Sequence, residues 1–210
     1  MNDYLRDPAA IEAASFAAIR AATDLSGLDA DAAQVALRLV HACGDPAVVE
    51  RLSLVNDPVA AGVAAVHAGA PVLCDVEMVR HGLTRRYLHG ELRCHLHDPG
   101  VAEAARTHGW TRTMAAVDRW DTDGALVVVG NAPTALFRLL ERLRAGAPAP
   151  RLVVAMPVGF IGAAESKAEA EAYACAHGLP LVTLHGRVGG SALACAAVNA
   201  IARLAAGEQW

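Results

Sequence analysis

The second half of the chain repeats one pattern three times: a short, mostly apolar run, a turn rich in glycine or proline, then a helix-length run. Strands are predicted at 126–129, 152–155 and 181–184, and helices at 133–144, 166–177 and 191–206. Strands this short and this apolar, separated by helical crossovers, pair in parallel and are covered on both sides. The predicted fold is therefore α/β: a single domain over residues 1–210, with a mostly parallel sheet flanked by helices on both faces. In such sheets ligands bind beyond the carboxyl ends of the strands. The loops after Val129, Ala155 and Leu184 are accordingly the first places to look for function.

The first half is divided by helix-start and helix-stop signals. Asp7-Pro8 opens a helix to about residue 22. Asp29 and Asp31 open a second, which carries Arg38 and His41 and stops at Gly44; Asp57-Pro58 opens a third, ended by Gly69. A short strand follows at 71–75, with a helical turn to Gly82, a strand at 92–96, and helices at about 98–108 and 111–120. No linker, low-complexity run or true repeat interrupts the chain. The doubled Ala-Gly-Ala-Pro at 68–71 and 145–148 is recurring turn chemistry between a helix end and a strand.

The loops are unusually specific. Met156-Pro157-Val158-Gly159-Phe160-Ile161-Gly162-Ala163-Ala164-Glu165-Ser166-Lys167 links a strand to a helix, with Ser166 and Glu169 spaced as a capping box. On spacing alone an ordinary strand-to-helix connection is an equally good reading. Three other segments bear on it: Gly130-Asn131-Ala132-Pro133-Thr134-Ala135-Leu136-Phe137, Val40-His41-Ala42-Cys43-Gly44 and Gly186-Arg187-Val188-Gly189-Gly190-Ser191-Ala192. Together with 71–79 (PVLCDVEMV), these segments resemble the precorrin-8X methylmutase family over residues 4–204. That family moves a methyl group on a corrinoid ring in the cobalamin pathway.

The resemblance implies an isomerase that shifts a methyl group from ring carbon 11 to carbon 12 of precorrin-8X, giving hydrogenobyrinic acid without a cofactor. It implies a homodimer whose active sites lie near the subunit interface. His41 corresponds to the family's acid–base residue, and Arg38, three residues earlier on the same helix face, to a substrate contact. Ser15, Thr84, Arg85, Arg112, Asn131 and Gly159 likewise fall at or beside substrate-contacting positions. The family more often has Ser or Ala where Thr113 stands, and Val188 occupies a variable place beside Arg187; neither departure removes a catalytic group.

Without the resemblance the same residues read more plainly. A histidine on an apolar helix face is more often a satisfied core residue, and a serine in mid-helix, such as Ser15, usually faces solvent or bonds back to its helix. Arg38 is harder to dismiss, because a guanidinium on an apolar face is costly to bury without an acceptor. A histidine, whose ordinary pKa is about 6.5, also suits proton exchange near neutrality.

Composition narrows the remaining classes. A net charge of −4 argues against a nucleic-acid partner. No apolar run reaches the roughly 18 residues of a membrane span, and residues 192–206, interrupted by Asn199 and Arg203, read as a buried helix. The start of the chain, with Asn2, Asp3 and Arg6, lacks a basic-then-apolar leader, so a cytoplasmic protein is expected. The five cysteines (43, 74, 94, 175 and 195) form no C-x-x-C pair and are expected to be small buried residues. Lys167 is the sole lysine; every other cation is arginine, which grips carboxylates through a rigid fork. His95-Leu96-His97 would present two imidazoles on one strand face but has no third ligand at metal spacing, so no metal is expected. Gly186–Ser191 is neither a dinucleotide fingerprint nor a phosphate loop. The same rearrangement on a cobalt-containing ring, and a corrinoid carrier without catalysis, remain as alternative readings.

Overall fold

The computed structural model describes residues 4–210. Asn2 and Asp3, on which the reading of the chain's start partly rests, lie outside the described residues. Nine helices are seen among those described: α1 (Pro8–Ala22), α2 (Ala30–Cys43), α3 (Pro58–His67), α4 (Glu77–Gly82), α5 (Val101–His108), α6 (Arg112–Val117), α7 (Pro133–Arg144), α8 (Ala163–His177) and α9 (Ser191–Ala205). Six strands, β1 (Leu52–Val55), β2 (Val72–Cys74), β3 (Leu92–Arg93), β4 (Leu126–Val129), β5 (Leu152–Ala155) and β6 (Leu181–Leu184), form one sheet in the order β1-β6-β5-β4-β2-β3. Every pairing is parallel except β1 with β6.

The strands divide their side chains between two cores with a period of two. Leu126, Val128, Leu152, Val154, Val182 and Leu184 face α2, α3 and α9. Val127, Val129, Val153, Ala155 and Leu181 face α7 and α8. Both faces are thus dry, which is why β4 to β6 are apolar at every position except Thr183. Thr183 is buried and its hydroxyl donates to the Ala155 carbonyl at 2.6 Å. α1 packs on the outside of α2. No helix among the described residues is long and apolar enough to cross a membrane.

Capping fixes the boundaries of the helices that carry the site. Asp7 and Asp29 accept from the N–H groups of Ala10 and Ala32 at 2.8 Å. Gly44 ends α2 in the left-handed conformation (φ 70°), where a side chain would be strained, immediately beyond His41.

Several expectations need correction. The predicted strand at 92–96 is only Leu92–Arg93, because the chain turns at 95–98, where His95 Nδ1 bonds Asp98 Oδ2 at 2.6 Å. The two histidines therefore do not share a strand face. Helix α8 begins three residues before the supposed capping box, after Gly162 at φ 77°. Ser166 lies inside the first turn and donates back to the Ala163 carbonyl at 3.2 Å. Helix α5 starts at Val101 and not at Asp98-Pro99, since Gly100 takes a left-handed angle (φ 84°), and α6 ends at Val117. Strand β1 and the 3-10 helix Pro46–Arg51 before it are additional. Cys74 and Cys195 are buried as expected, whereas Cys43 and Cys175 are exposed and Cys94 is half-buried.

Candidate functional site

The segment 75–82, the 130–132 turn, the 156–162 loop and the 186–190 loop all gather at the carboxyl ends of the parallel strands, and the end of α2 meets them there. Gly189 lies so close to Met156 that an added Cβ would stand 2.3 Å from the Met156 carbonyl oxygen. Gly190 N–H donates to that same oxygen at 2.7 Å. The loops after β5 and β6 are thereby fastened together.

The turn after β4 is held from below. The Asp75 carboxylate, 1% exposed at the end of β2, accepts from Gly130 N–H at 3.0 Å and from Asn131 and Ala132 N–H at 2.8 Å each. It caps the start of α7 from a neighbouring strand, work that Ala132 at the helix start cannot do. Burial pushes its pKa above the usual carboxylate range, and the three N–H groups oppose that shift.

A concavity of about 330 Å³ opens between α2, α4 and α9, lined by Arg38, His41, Met78, Ser191, Cys195 and Asn199, with small residues between them. His41 sits in the last turn of α2 and is largely exposed. Its Nδ1 is 3.2 Å from Ser15 Oγ on α1, and its ring stacks on Phe16 at a centroid distance of 4.9 Å. Burial on its inner side, and then the positive charge of Arg38, hold its pKa below the ordinary histidine value; Glu12 acts in the opposite sense. At neutral pH the imidazole is therefore mostly uncharged.

Arg38 is half-buried, yet among the described residues no carboxylate pairs with it. The acceptor anticipated from sequence is replaced by an aromatic face: its guanidinium carbon lies 5.5 Å from the Trp210 ring centroid. A guanidinium so placed has hydrogen-bond donors free for an acidic ligand.

The remaining residues singled out in the sequence are distributed around this centre. Thr84 N–H donates to Asn199 Oδ1 at 2.8 Å, and Asn199 Nδ2 donates to the Gly82 carbonyl at 3.0 Å, so Thr84 is tied to the concavity through Asn199. Arg85 is exposed in the one-turn helix Arg85–Tyr87. Arg112 is exposed at the start of α6, beside a cluster in which the Thr111 hydroxyl meets those of Thr113 (3.0 Å) and Thr134 (2.8 Å). Asn131 is exposed above Asp75, and Gly159 lies in the 156–162 loop at φ 146°. Arg85, Arg112, Asn131 and Gly159 do not line the His41 concavity.

Sequence reasoning passed over Asp75, Asn199, Phe16 and Trp210. Asp75 was signalled by an acid directly after an apolar strand, and Asn199 by a polar side chain in an otherwise apolar helix. Phe16 and Trp210 carried no comparable signal. Lys167 is the other omission: 1% exposed, its Nζ donates to the Val188 carbonyl at 2.5 Å, and burial lowers its pKa to about 8.

Comparison with known proteins gives a consistent result. The family model CbiC, precorrin-8X methylmutase, matches residues 10–204. A Pseudomonas aeruginosa protein named precorrin-8X methylmutase is 49% identical over 206 residues, covering 96% of this chain and 98% of its own. A Salmonella typhimurium protein named cobalt-precorrin-8 methylmutase is 38% identical over 209 residues, covering 94% and 96%. The crystal structure of precorrin-8X methylmutase from Thermus thermophilus superposes with a TM-score of 0.83 at 37% identity, over 94% of this chain and 96% of that one.

Proposed function

Because the chain belongs to the precorrin-8X methylmutase family, we propose that it is a cobalamin-biosynthesis isomerase moving the methyl group of precorrin-8X from C-11 to C-12, with His41 exchanging the proton. The observation that carries this reading is that Arg38 and His41 line one concavity at the carboxyl ends of the sheet, with Ser15 bonded to the His41 ring. The migration consumes no donor and changes no oxidation state. What it needs is a macrocycle held in one orientation and a proton moved to let the double bonds rearrange. With Nδ1 engaged by Ser15, Nε2 is the nitrogen left for that exchange, and burial, then the charge of Arg38, keep the imidazole uncharged until it takes the proton up. General acid–base assistance of this kind contributes roughly 10²–10⁴-fold. Orientation and exclusion of water supply the rest.

Arg38, Ser15 and Thr84 would grip the ring's polar edge close to His41. Arg85, Arg112, Asn131 and Gly159 would meet its more distant carboxylates and amides. The concavity of about 330 Å³ lies at the low end of small-ligand pockets, which run from roughly 300 to 1,000 Å³. The family resemblance supports a homodimer in which a second copy of the chain completes each site. Phe160 and Ile161, 81% and 89% exposed on the loop beside the site, supply apolar surface for that contact. The chain acts as one domain in the cytoplasm, with no cofactor of its own.

A second reading, the same migration on a ring that already holds cobalt, is favoured by the relatives named cobalt-precorrin-8 methylmutase. The test is absorbance during incubation with precorrin-8X and, separately, its cobalt form. Wild type should give the hydrogenobyrinic acid spectrum, and His41→Ala should bind the ring without converting it. Conversion only of the cobalt form selects the second reading. Equal conversion by both proteins removes His41 from the chemistry, and binding without conversion by either leaves a carrier.

A further inference from the structure

The segment after α9 folds back across α1 and α2, and Trp210 is fixed there at three polar points. Its backbone N–H donates to Gln34 Oε1 at 3.0 Å, its indole N–H donates to Glu12 Oε1 at 3.0 Å, and Arg20 donates to its carbonyl. The indole stacks on Phe16 (centroids 5.1 Å apart, planes 20° apart), and Phe16 stacks in turn on the His41 imidazole (4.9 Å, 11°). The three rings stand in series. The guanidinium carbons of Arg38 and Arg203 lie 5.5 and 4.4 Å from the same indole centroid.

Simple cover over a helix seam would not require this arrangement. The indole meets Arg38 directly and His41 through a single ring. These are the two groups assigned here to substrate and proton, and Trp210 is anchored independently of both. Phe16 is only 3% exposed, so it has little freedom while the indole is in place. Without the indole, Phe16 could tilt outward and His41 would lose its stacking partner. Arg38, which has no carboxylate among the described residues, would lose the ring face that orients it.

We propose that Trp210 is a positioning residue of the site, holding the His41 imidazole through Phe16 and the Arg38 guanidinium through its own ring. The proposal rests on the assignment of His41 and Arg38 to the methylmutase reaction. The charged and titratable groups around His41 are Arg38 on its own helix, Glu12 on α1, and Cys195 with the more distant Arg203 on α9.

The test compares Trp210→Ala and Trp210→Phe in the full chain with two readouts. The first is kcat and KM for precorrin-8X. The second, needing no substrate, is NMR titration of the His41 ring protons. Trp210→Ala should lower kcat about tenfold, a misplacement smaller than the 10²-fold that a 1 Å shift can cause, with a smaller change in KM. Its His41 midpoint should move up towards the ordinary histidine value as the ring gains solvent. Trp210→Phe, which keeps a stacking ring but loses the indole N–H, should recover most of both. An unchanged His41 titration in Trp210→Ala would overturn the proposal, as would Ala and Phe variants that behave alike. If wild type fails to convert precorrin-8X, the functional reading falls, and the titration still decides whether Trp210 holds His41.

Discussion

Replacing Lys167 with methionine should change how stability depends on pH. The ammonium is 1% exposed, makes one hydrogen bond, to the Val188 carbonyl, and has a pKa lowered to about 8 by burial, with Arg51 adding to the effect. In the unfolded chain it titrates near 10.4. Below pH 8 both states hold the proton, and the folded protein carries a poorly solvated charge. Between pH 8 and 10.4 the folded state releases its proton first, so folding becomes more favourable as pH rises. A tenfold difference in proton affinity between the two states is worth about 1.36 kcal/mol, so wild type should gain roughly 2 kcal/mol relative to Lys167→Met between pH 7 and pH 10. Methionine removes the charge but leaves the Val188 carbonyl without its donor, a pH-independent cost of about 1–3 kcal/mol if water cannot reach it. Urea unfolding of both proteins at half-unit steps from pH 7 to 10 measures the difference directly. Taking the difference cancels the buried thiols of Cys74 and Cys195, whose raised pKa values make wild type and variant alike lose stability over the same range. Parallel stability curves would refute the reasoning and mean that the ammonium is solvated.

Three further outcomes follow from the same geometry. Asp75→Asn can offer one oxygen to the three N–H groups of 130–132 and brings an amide that needs acceptors of its own. It should lose about 2–4 kcal/mol in chemical denaturation and lower turnover by displacing the Asn131 turn. Gly189→Ala drives a methyl group into the Met156 carbonyl, 2.3 Å away, and should lower stability by about 1–3 kcal/mol, seen as a depressed melting temperature. The kcat/KM profile of wild type should stay flat as pH falls to about 6.5 and decline only below it, because His41 protonates below the ordinary histidine value; a decline starting above pH 7 would contradict that environment.

The fold was legible where local and tertiary signals agreed. Strands β4, β5 and β6 are buried on both faces, so short apolar runs, broken only by Thr183, marked them to the residue, and proline or aspartate fixed the starts of α1, α2, α3 and α7. Strand β1 escaped notice because Leu52–Val55 is only partly buried and pairs at an edge, leaving neither alternation nor an apolar run to read. Ser166 misled because the S-x-x-E spacing also occurs within a helix, and Gly162, with its left-handed angle, begins α8 instead. At the candidate site, His41, Arg38 and Ser15 were singled out through family motifs, and the fold places Ser15 against His41 one turn beyond Arg38. The support behind them was not: Asp75 meets residues 55 or more positions away, and Trp210 meets Phe16 and Gln34 from the far end of the chain. Contacts closed only by the finished fold leave no local periodicity.

The sheet ends at one side in the two-residue β3 and at the other in the four-residue β1, which runs against its neighbour. A foreign strand docking on either margin would find too few open backbone groups to zip along. Self-association by sheet extension, and the amyloid-like stacking that starts from it, is therefore disfavoured at the β3 margin above all.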